Sequence, residues 1–137
     1  MSSTRLVVNV DGGARGNPGP AAIAAVVATP EGEVLDEHSQ TIGPATNNVA
    51  EYRAVLLGIE RARALGATEV ELIGDSELVV RQVRGEYKVK DEELRRLYAR
   101  VVRELAELDA WSIRHVRRER NAAADSLVNA ALDDATA

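Results

Sequence analysis

The chain of 137 residues contains no cysteine and no phenylalanine, and only 3% of its residues are aromatic. The absence of cysteine excludes a disulfide framework and a cysteine-based zinc site, and it fits a cytoplasmic location. No apolar run approaches the roughly 18 residues of a membrane span, and the N terminus lacks the features of a secretory signal. We therefore expect a cytoplasmic protein with no membrane partner, whose core consists of valine, leucine, isoleucine and alanine.

The net charge of −5 is opposite in sign to that of most nucleic-acid-binding proteins. The charge is, however, unevenly distributed along the chain. Residues 81–90 contain two arginines and two lysines against one glutamate, and residues 111–121 contain four arginines against one glutamate. These two basic segments are either ordinary solvated faces or contacts for a phosphate backbone, and the charge pattern alone leaves both interpretations open.

Apolar periodicity predicts nine elements in the order β-β-β-α-β-α-α-β-α. The predicted strands are residues 5–10, 21–30, 33–43, 69–74 and 110–116, and the predicted helices are residues 49–65, 76–83, 91–108 and 121–134. A meander followed by βαβ units predicts a single α/β domain over residues 1–137, with a five-stranded mixed sheet and helices on both faces. We expect a core over about residues 5–132, followed by a short flexible tail from residue 133.

Four acidic residues lie where a predicted strand ends or a predicted helix begins: Asp11, Glu51, Asp75 and Asp125. Each has a local explanation. Asp11 precedes a glycine, which favours a turn, and Glu51 follows Asn48 by three residues, as in a capping box. Asp75 and the serine after it can cap the next helix, and Asp125 can stabilise a helix N terminus through the helix dipole. Taken singly, these acids do not require a functional site.

Taken together, the four acids point to a metal site. In an α/β sheet, strand ends and helix starts meet at one edge, where ligands tend to bind. Carboxylates that converge there repel one another and have raised pKa values unless a cation neutralises them. A site of oxygen ligands without cysteine or histidine favours Mg²⁺ or Mn²⁺. Two such ions about 3.5–4 Å apart can act on both the attacking and the leaving oxygen of a phosphodiester.

Four stretches of the chain resemble, in order and spacing, the motifs of type 1 ribonuclease H. They are VDGGARGNPGP (residues 10–20), TNNVAEYRAVLLGI (46–59), ELIGDSELVVRQVRGEYKVK (71–90) and HVRRERNAAADSLVNAAL (115–132). The resemblance covers about residues 6–132. It implies the ribonuclease H fold and an endonuclease that hydrolyses the RNA strand of RNA–DNA hybrids with Mg²⁺, leaving 5′-phosphate and 3′-hydroxyl ends.

The resemblance implies a role for each of the four acids, with two Mg²⁺ ions as the cofactor and Mn²⁺ as a substitute. Asp11 is expected to bridge both ions. Glu51 and Asp75 are expected to complete the site of the ion at the leaving group. Asp125 is expected to help hold the ion that activates water. The four acids are thus the implied catalytic and metal-binding residues.

The resemblance also implies contacts with the hybrid. Glycine allows the backbone to approach the minor groove, and asparagine offers a donor and an acceptor to 2′-hydroxyls and base edges. One of the two asparagines before the first long helix is also expected to cap that helix. The implied substrate-binding residues in these two regions are Gly12, Gly13, Asn17, Thr46, Asn47 and Asn48.

Two residues compete for an auxiliary catalytic role. Many relatives carry a histidine before the last helix, and His115 has the right spacing from Asn121. Because His115 also fits an alternating strand pattern, a structural role is an equal alternative. Arg118, seven residues before Asp125, could instead reach a phosphate, and arginine suits that role as a charged donor. Of the two, we favour Arg118.

Some members of the family insert a basic, tryptophan-containing protrusion after the short helix, and this chain lacks it. Lys88 and Lys90 are expected to provide a smaller basic contact with the hybrid. The shorter pattern is similar to that of archaeal and actinobacterial members, some of which form the N-terminal part of a longer protein and also act on double-stranded RNA. We therefore expect a monomer that binds RNA–DNA hybrids, with double-stranded RNA as a candidate second substrate.

Three other functions stay open. A non-catalytic hybrid-binding module on the same fold is disfavoured by the four acids, because buried like charges are costly to keep for binding alone. Another nuclease of the same superfamily, such as a transposase or an exonuclease, would share the fold and the metals but not the TNN and GNPG motifs. A purely structural α/β domain is the weakest alternative, because it explains none of these motifs.

Overall fold

The computed structural model of the chain describes residues 3–136. Its five strands are β1 (Arg5–Ala14), β2 (Gly19–Ala28), β3 (Val34–Ala45), β4 (Glu69–Gly74) and β5 (Ala110–His115). Its helices within that range are α1 (Asn47–Ala64), α2 (Glu77–Val83), α3 (Glu92–Ala106) and α4 (Ala122–Thr136), and a 3₁₀ turn over Arg118–Asn121 leads into α4. The order of strands and α-helices is the predicted one.

The strands form one mixed sheet in the order β3-β2-β1-β4-β5. β1, β2 and β3 pair antiparallel as a meander, whereas β4 pairs parallel with β1 and β5 pairs parallel with β4. Parallel neighbours need crossover connections, and these are supplied by α1 and by the α2–α3 pair. The prediction of a five-stranded mixed sheet is confirmed, with β1 and β4 as adjacent central strands.

Side-chain alternation along β2 shows how the helices divide between the two faces of the sheet. Ile23 and Val27 face the larger core, which also contains the buried sides of α1, α2 and α3. Ala22 and Ala24 face the other way and pack against α4 at Val128. Because alanine side chains are short, α4 lies close to the sheet on that face. Helices on both faces are therefore confirmed.

Strand β1 continues four residues beyond its predicted end at residue 10. Asp11 pairs with Ala24 inside the β1–β2 ladder, so the interpretation of Asp11 and Gly12 as a turn is wrong. The physical reason lies in α1. A side chain at Gly12 would collide with the carbonyl of Ala50, so glycine here allows the helix to cross the strand closely. The chain leaves the strand only after Ala14.

The cap of α1 differs from the prediction, whereas at α2 one of the two predicted caps, Ser76, is confirmed. Thr46 caps α1, and its Oγ1 accepts a hydrogen bond from the backbone N–H of Val49 at 3.2 Å. The expected asparagine cap is therefore wrong, and so is the capping-box interpretation of Glu51, which lies beyond the first turn. At α2, the cap is Ser76 and not Asp75. Neither acid is needed to hold a helix end.

The last helix is longer than predicted. α4 continues to Thr136, so residues 133–136, expected to be a flexible tail, form its final turn. Arg15 Nη2 lies 2.6 Å from Asp133 Oδ1, which brings this turn into contact with the loop after β1. Ala137 of the expected tail and the first two residues of the predicted domain lie outside the described residues. None of the described helices is long and apolar enough to cross a bilayer.

Candidate active site

Carboxylates from separate elements meet at the edge of the sheet where β1 and β4 end. Asp11 of β1, Glu51 of α1 and Asp75, which follows β4, have carboxylate oxygens that all lie within 4.8 Å of one another. Asp125 of α4 lines the same cavity, whose volume is about 480 Å³. The fold therefore brings together all four acids that the sequence singled out.

The parallel register of β1 and β4 explains why Asp11 and Asp75 are neighbours. Asn9 of β1 pairs with Ile73 of β4. Asp11 and Asp75 each come two residues after this pair, and residues two apart on a strand share a face. Asp75 lies just past the end of β4, so its side chain stands at the rim of the sheet beside Asp11.

Glu51 is brought to the cluster by the close crossing of α1 over β1. Burial is the largest influence on this carboxyl group, followed by the charges of Asp11 and Asp75, and together they raise the pKa of Glu51 well above its usual range. Two groups act in the opposite direction. The backbone N–H of Gly12 donates a hydrogen bond to the carboxylate, and the Arg118 guanidinium attracts it.

Asp11 lies between the other acids and is itself buried. Burial raises the pKa of Asp11 to about 8, with further contributions from the charges of Asp75 and Asp125 and from hydrogen bonds with both. At neutral pH, such a carboxyl group holds its proton unless something positive replaces it. The cluster is therefore an arrangement that gains from a nearby cation.

Asp75 gives a second indication that the cluster suits a cation. Its Oδ2 is buried and has no hydrogen-bond partner among the described residues. Buried polar atoms without a partner are rare in folded proteins, and each calls for an explanation such as a bound ion. Carboxylate oxygens are the ligands that Mg²⁺ and Mn²⁺ prefer. The residues present therefore fit a divalent metal, with Asp11, Glu51 and Asp75 as its nearest candidate ligands.

The start of α4 is fixed by Asn121, a residue that the sequence motifs do not indicate as part of the site. Asn121 is 1% exposed. Its Nδ2 donates to the carbonyl of Val10 at 2.8 Å, and its Oδ1 accepts from Asn9 Nδ2 at 2.9 Å. These bonds hold the helix that carries Asp125 against the strand that carries Asp11. The signal was present in the sequence, because Asn9 is a polar residue inside an apolar strand run.

Asn17 and Asn47 brace the loop after β1 against α1. Asn17 Oδ1 accepts a hydrogen bond from the backbone N–H of Asn47 at 3.1 Å, and Asn47 Oδ1 accepts from the backbone N–H of Ala14 at 2.8 Å. Because the backbone N–H groups of Asn47 and Ala14 are donors, each side-chain amide must turn its oxygen towards its partner and its NH₂ group away from it. Within residues 3–136, the NH₂ groups of these two side chains have no hydrogen-bond partner and remain available to a ligand.

The other predicted substrate-binding residues line three separate surface cavities. Thr46 uses its hydroxyl as the α1 cap and lines a different groove, next to Arg53. Lys88 and Lys90 lie on a separate surface cavity between α2 and α3. Those that line the cavity of the acids are Gly12, Gly13, Asn47 and Asn48.

Arg118 and His115 have different surroundings. Arg118, at the start of the 3₁₀ turn, lines the cavity of the acids and attracts the Glu51 carboxylate. His115 is the exposed last residue of β5, where it pairs with Gly74, and it does not line that cavity. Of the two candidates for an auxiliary role, the geometry favours Arg118.

Comparison with known proteins relates most of the chain to one group. The family model described as "Reverse transcriptase-like" matches residues 9–131. The chain is 47% identical over 131 residues to a protein of Halobacterium salinarum named ribonuclease HI, and the aligned region covers 96% of this chain and 66% of that protein. It is 46% identical over 132 residues to a bifunctional protein of Mycobacterium tuberculosis, covering 96% of this chain but only 36% of that protein. The chain therefore spans only part of these two relatives.

Solved structures give the same result for the fold. The crystal structure of RNase H1 from Halobacterium salinarum superimposes with a TM-score of 0.93 at 45% identity, covering 95% of this chain and 98% of that one. LC11-RNase H1, crystallised in complex with an RNA/DNA hybrid, superimposes with a TM-score of 0.92 at 43% identity, covering 96% of this chain and 99% of that one. The expected similarity to the short form of archaeal and actinobacterial members is confirmed.

Proposed function

The chain belongs to the type 1 ribonuclease H family, and from that premise we propose that it is a metal-dependent endoribonuclease that cuts the RNA strand of RNA–DNA hybrids. The observation that carries the proposal is the cluster of Asp11, Glu51 and Asp75, whose oxygens lie within 4.8 Å of one another beside Asp125. A related RNase H1 has been crystallised with an RNA/DNA hybrid, which supports a hybrid as the substrate.

Asp11, Glu51, Asp75 and Asp125 would hold two Mg²⁺ ions, and Mn²⁺ would be a substitute. Such ions, when bound, supply Lewis acids that activate water and stabilise the charge that develops on the phosphate, so that 5′-phosphate and 3′-hydroxyl ends result. The protein's own contribution is to keep the carboxylates close and rigid. Asp11 belongs to the sheet ladder and Asp125 is held through Asn121, so neither needs to reorganise during the reaction.

Selection of an RNA strand would depend on the backbone and the amides beside the acids. Gly12 and Gly13 present only backbone to the cavity of the acids, so a nucleic-acid backbone can approach closely, while the side-chain direction of Gly12 is taken up by α1. The open NH₂ groups of Asn17 and Asn47 can donate to a 2′-hydroxyl or a base edge. Asn48 lines the same cavity and would contribute in the same way. A strand without 2′-hydroxyls would lose the contacts to those hydroxyls.

Arg118 would act on the phosphate itself. Its guanidinium lies at the cavity of the acids and is positioned to donate hydrogen bonds to a phosphate oxygen. His115 is exposed outside that cavity and would reach the reacting atoms only after a movement of the chain. We therefore assign the auxiliary role to Arg118 before His115.

A cleavage assay tests the proposal against its alternatives. A labelled RNA–DNA hybrid, a double-stranded RNA and a double-stranded DNA are each incubated with Mg²⁺, Mn²⁺ or EDTA. We expect metal-dependent cleavage of the RNA strand of the hybrid, and the same gel measures any action on double-stranded RNA. Cleavage of double-stranded DNA, or cleavage that survives EDTA, would contradict the proposal.

The matched control is Asp11→Asn, which keeps the size of the side chain and removes its charge. We expect this variant to bind the hybrid without cutting it. If the unaltered chain also binds the hybrid without cutting it under all metal conditions, the chain is a hybrid-binding module instead. Size-exclusion chromatography checks the accompanying proposal that the chain acts as a monomer, and fractionation of cells checks the cytoplasmic location.

A further inference from the structure

Gln82 of α2 is a buried polar side chain with both of its functional groups in use. It is 5% exposed. Its Oε1 accepts a hydrogen bond from the Tyr52 hydroxyl at 2.7 Å, and its Nε2 donates to the backbone carbonyl of Lys88 at 3.2 Å. Because a carbonyl can only accept, Nε2 must face Lys88, and the Tyr52 hydroxyl must therefore donate. The orientation of the amide is fixed by its two partners.

These two bonds join three separate parts of the chain. Tyr52 is fully buried in α1 and directly follows Glu51 of the acidic cluster. Lys88 lies in the segment of residues 85–90 between α2 and α3, which has no regular secondary structure beyond its opening turn. Gln82 stands between them. The Gln82 side chain is thus a direct link between the helix that carries Glu51 and the basic segment.

The other polar contacts of the segment of residues 85–90 lie in its first half, where Glu86 forms ion pairs with Arg81 and Arg84 and the Gly85 N–H donates to the Gln82 carbonyl. The backbone N–H groups of Glu86 and Tyr87 donate to the Arg81 carbonyl at 2.8 and 3.3 Å, which holds only its beginning. Val89 packs against the main core. In residues 88–90, the bond from Gln82 to the Lys88 carbonyl is the one backbone hydrogen bond that the described residues provide. Loss of this bond would free the part that carries the two lysines.

The surface that this segment forms is suited to a phosphate backbone. Lys88 and Lys90 have no ion-pair partner among the described residues. They line a cavity of about 890 Å³ together with Tyr87, Arg95 and Tyr98. Cations beside aromatic rings are typical of surfaces that bind nucleic-acid strands. Rigid placement of these cations would lower the conformational entropy lost on binding.

We propose that Gln82 is a positioning residue for hybrid binding: it holds the basic segment of residues 85–90 at a fixed place relative to α1 and the acidic cluster. The inference rests on the proposed function, because it assigns the segment to the same nucleic-acid substrate. Gln82 itself touches neither the acids nor the cavity that they line. Its effect therefore reaches the substrate through Lys88 and Lys90.

The test compares a double variant, Tyr52→Phe with Gln82→Met, against Tyr52→Phe alone. The double variant removes both side-chain polar partners together, so no buried side-chain group is left unpaired and the fold is retained. The single variant keeps the bond to the Lys88 carbonyl. We expect the double variant to raise KM for the hybrid about fivefold with kcat unchanged, and the single variant to keep KM. Val83→Ala serves as a control for destabilisation in α2 that leaves the bond intact.

Two further readouts separate positioning from mere loss of stability. Trypsin cuts after lysine, so we expect the folded double variant to be cut at Lys88 and Lys90 about tenfold faster than the single variant. The dependence of hybrid affinity on salt should become shallower, as it should in a Lys88→Ala, Lys90→Ala variant. Val83→Ala should change neither the trypsin cutting nor the salt dependence.

The outcomes distinguish this inference from the proposed function. If the unaltered chain cuts the hybrid but the double variant keeps KM and trypsin resistance, Gln82 does not position the segment. If replacing both lysines leaves KM unchanged while cleavage persists, the segment is no substrate contact, and the inference is overturned although the enzyme assignment stands. If the unaltered chain neither binds nor cuts the hybrid, both the inference and the proposed function are wrong.

Discussion

The side-chain amide of Asn121 donates a hydrogen bond to the backbone carbonyl of Val10 at 2.8 Å. Val10 immediately precedes Asp11, and Asn121 lies four residues before Asp125. The bond therefore fixes the distance between a strand and a helix on opposite sides of the acidic cluster. Because Asn121 is almost completely buried, α4 cannot shift relative to β1 without breaking a bond that water does not replace.

Asn121→Ala should therefore affect both stability and turnover. The change leaves the Val10 carbonyl and the Asn9 amide without their partner, and we expect the free energy of unfolding to fall by about 1–3 kcal/mol. We expect kcat for hybrid cleavage to fall by about tenfold or more with little change in KM, because Asp125 is no longer held beside Asp11. Urea unfolding and steady-state kinetics measure these effects. Ser126 is exposed on the same helix, and Ser126→Ala should change neither the free energy of unfolding nor kcat. An Asn121→Ala enzyme with full kcat would show that Asn121 has only a structural role.

Gly12 and Gly13 form a matched pair for testing the close approach of α1. A Cβ at Gly12 would overlap the backbone of Ala50 and Glu51, whereas a Cβ at Gly13 would meet its nearest neighbour, Val128 Cγ1, at an ordinary 3.8 Å. We expect Gly12→Ala to destabilise the protein by about 1–3 kcal/mol and to displace Glu51 from the cluster. Gly13→Ala should stay within about 0.5 kcal/mol of the unaltered protein. Thermal unfolding compares the two, and equal effects would mean that the crossing at Gly12 is not tight.

Arg118 and His115 can be separated by single substitutions. Because Arg118 lines the cavity of the acids and His115 does not, we expect Arg118→Ala to lower kcat for the hybrid by about tenfold to a hundredfold, the range for loss of a charge-assisted contact. His115→Ala should stay within about threefold. Single-turnover kinetics under saturating enzyme measure the chemical step. A larger loss for His115→Ala would reverse the assignment and indicate that the chain near His115 moves during the reaction.

The sequence predicted the order of elements well because each element carries its own periodicity. The helix of residues 49–65 and the strand of residues 69–74 differ from α1 and β4 by at most two residues at either end. The error at Asp11 has a different origin. An Asp-Gly pair favours a turn locally, but here the glycine is required by the backbone of a helix that begins 35 residues later in the chain. Local preference cannot anticipate such a contact.

The sequence predicted the four acids of the candidate site but not the hydrogen bonds that hold their helices and strands in place. The convergence of Asp11 and Asp75 follows from parallel pairing of β1 and β4, which the βαβ pattern predicts. The bond from Asn121 to Val10 joins residues 111 positions apart and is visible only in the folded chain. The same applies to Tyr52 and Gln82. Contacts between distant polar side chains depend on three-dimensional packing, to which sequence periodicity gives no access.

The pH dependence of stability provides a test of the acidic cluster in the absence of metal. The pKa of Asp11 is raised from its ordinary 3.8 to about 8 in the folded protein. A group of this kind favours the folded state fully below its unfolded pKa, and its contribution is lost as the pH rises through the folded pKa. The pKa of Glu51 is shifted in the same direction. We therefore expect the free energy of unfolding in EDTA to decrease steadily from pH 5 to pH 8.

Urea unfolding across this pH range measures the slope, and two changes should flatten it. Asp11→Asn removes the titrating group, so the variant should lose less stability between pH 5 and pH 8 than the unaltered chain does. Mg²⁺ favours the ionised carboxylates, so a saturating concentration should stabilise the unaltered chain more at pH 8 than at pH 5. Asp36, which pairs with Arg61 far from the cluster, has a lowered pKa and contributes only at lower pH. A slope that persists in Asp11→Asn and is insensitive to Mg²⁺ would show that the acids do not form one coupled, metal-responsive group.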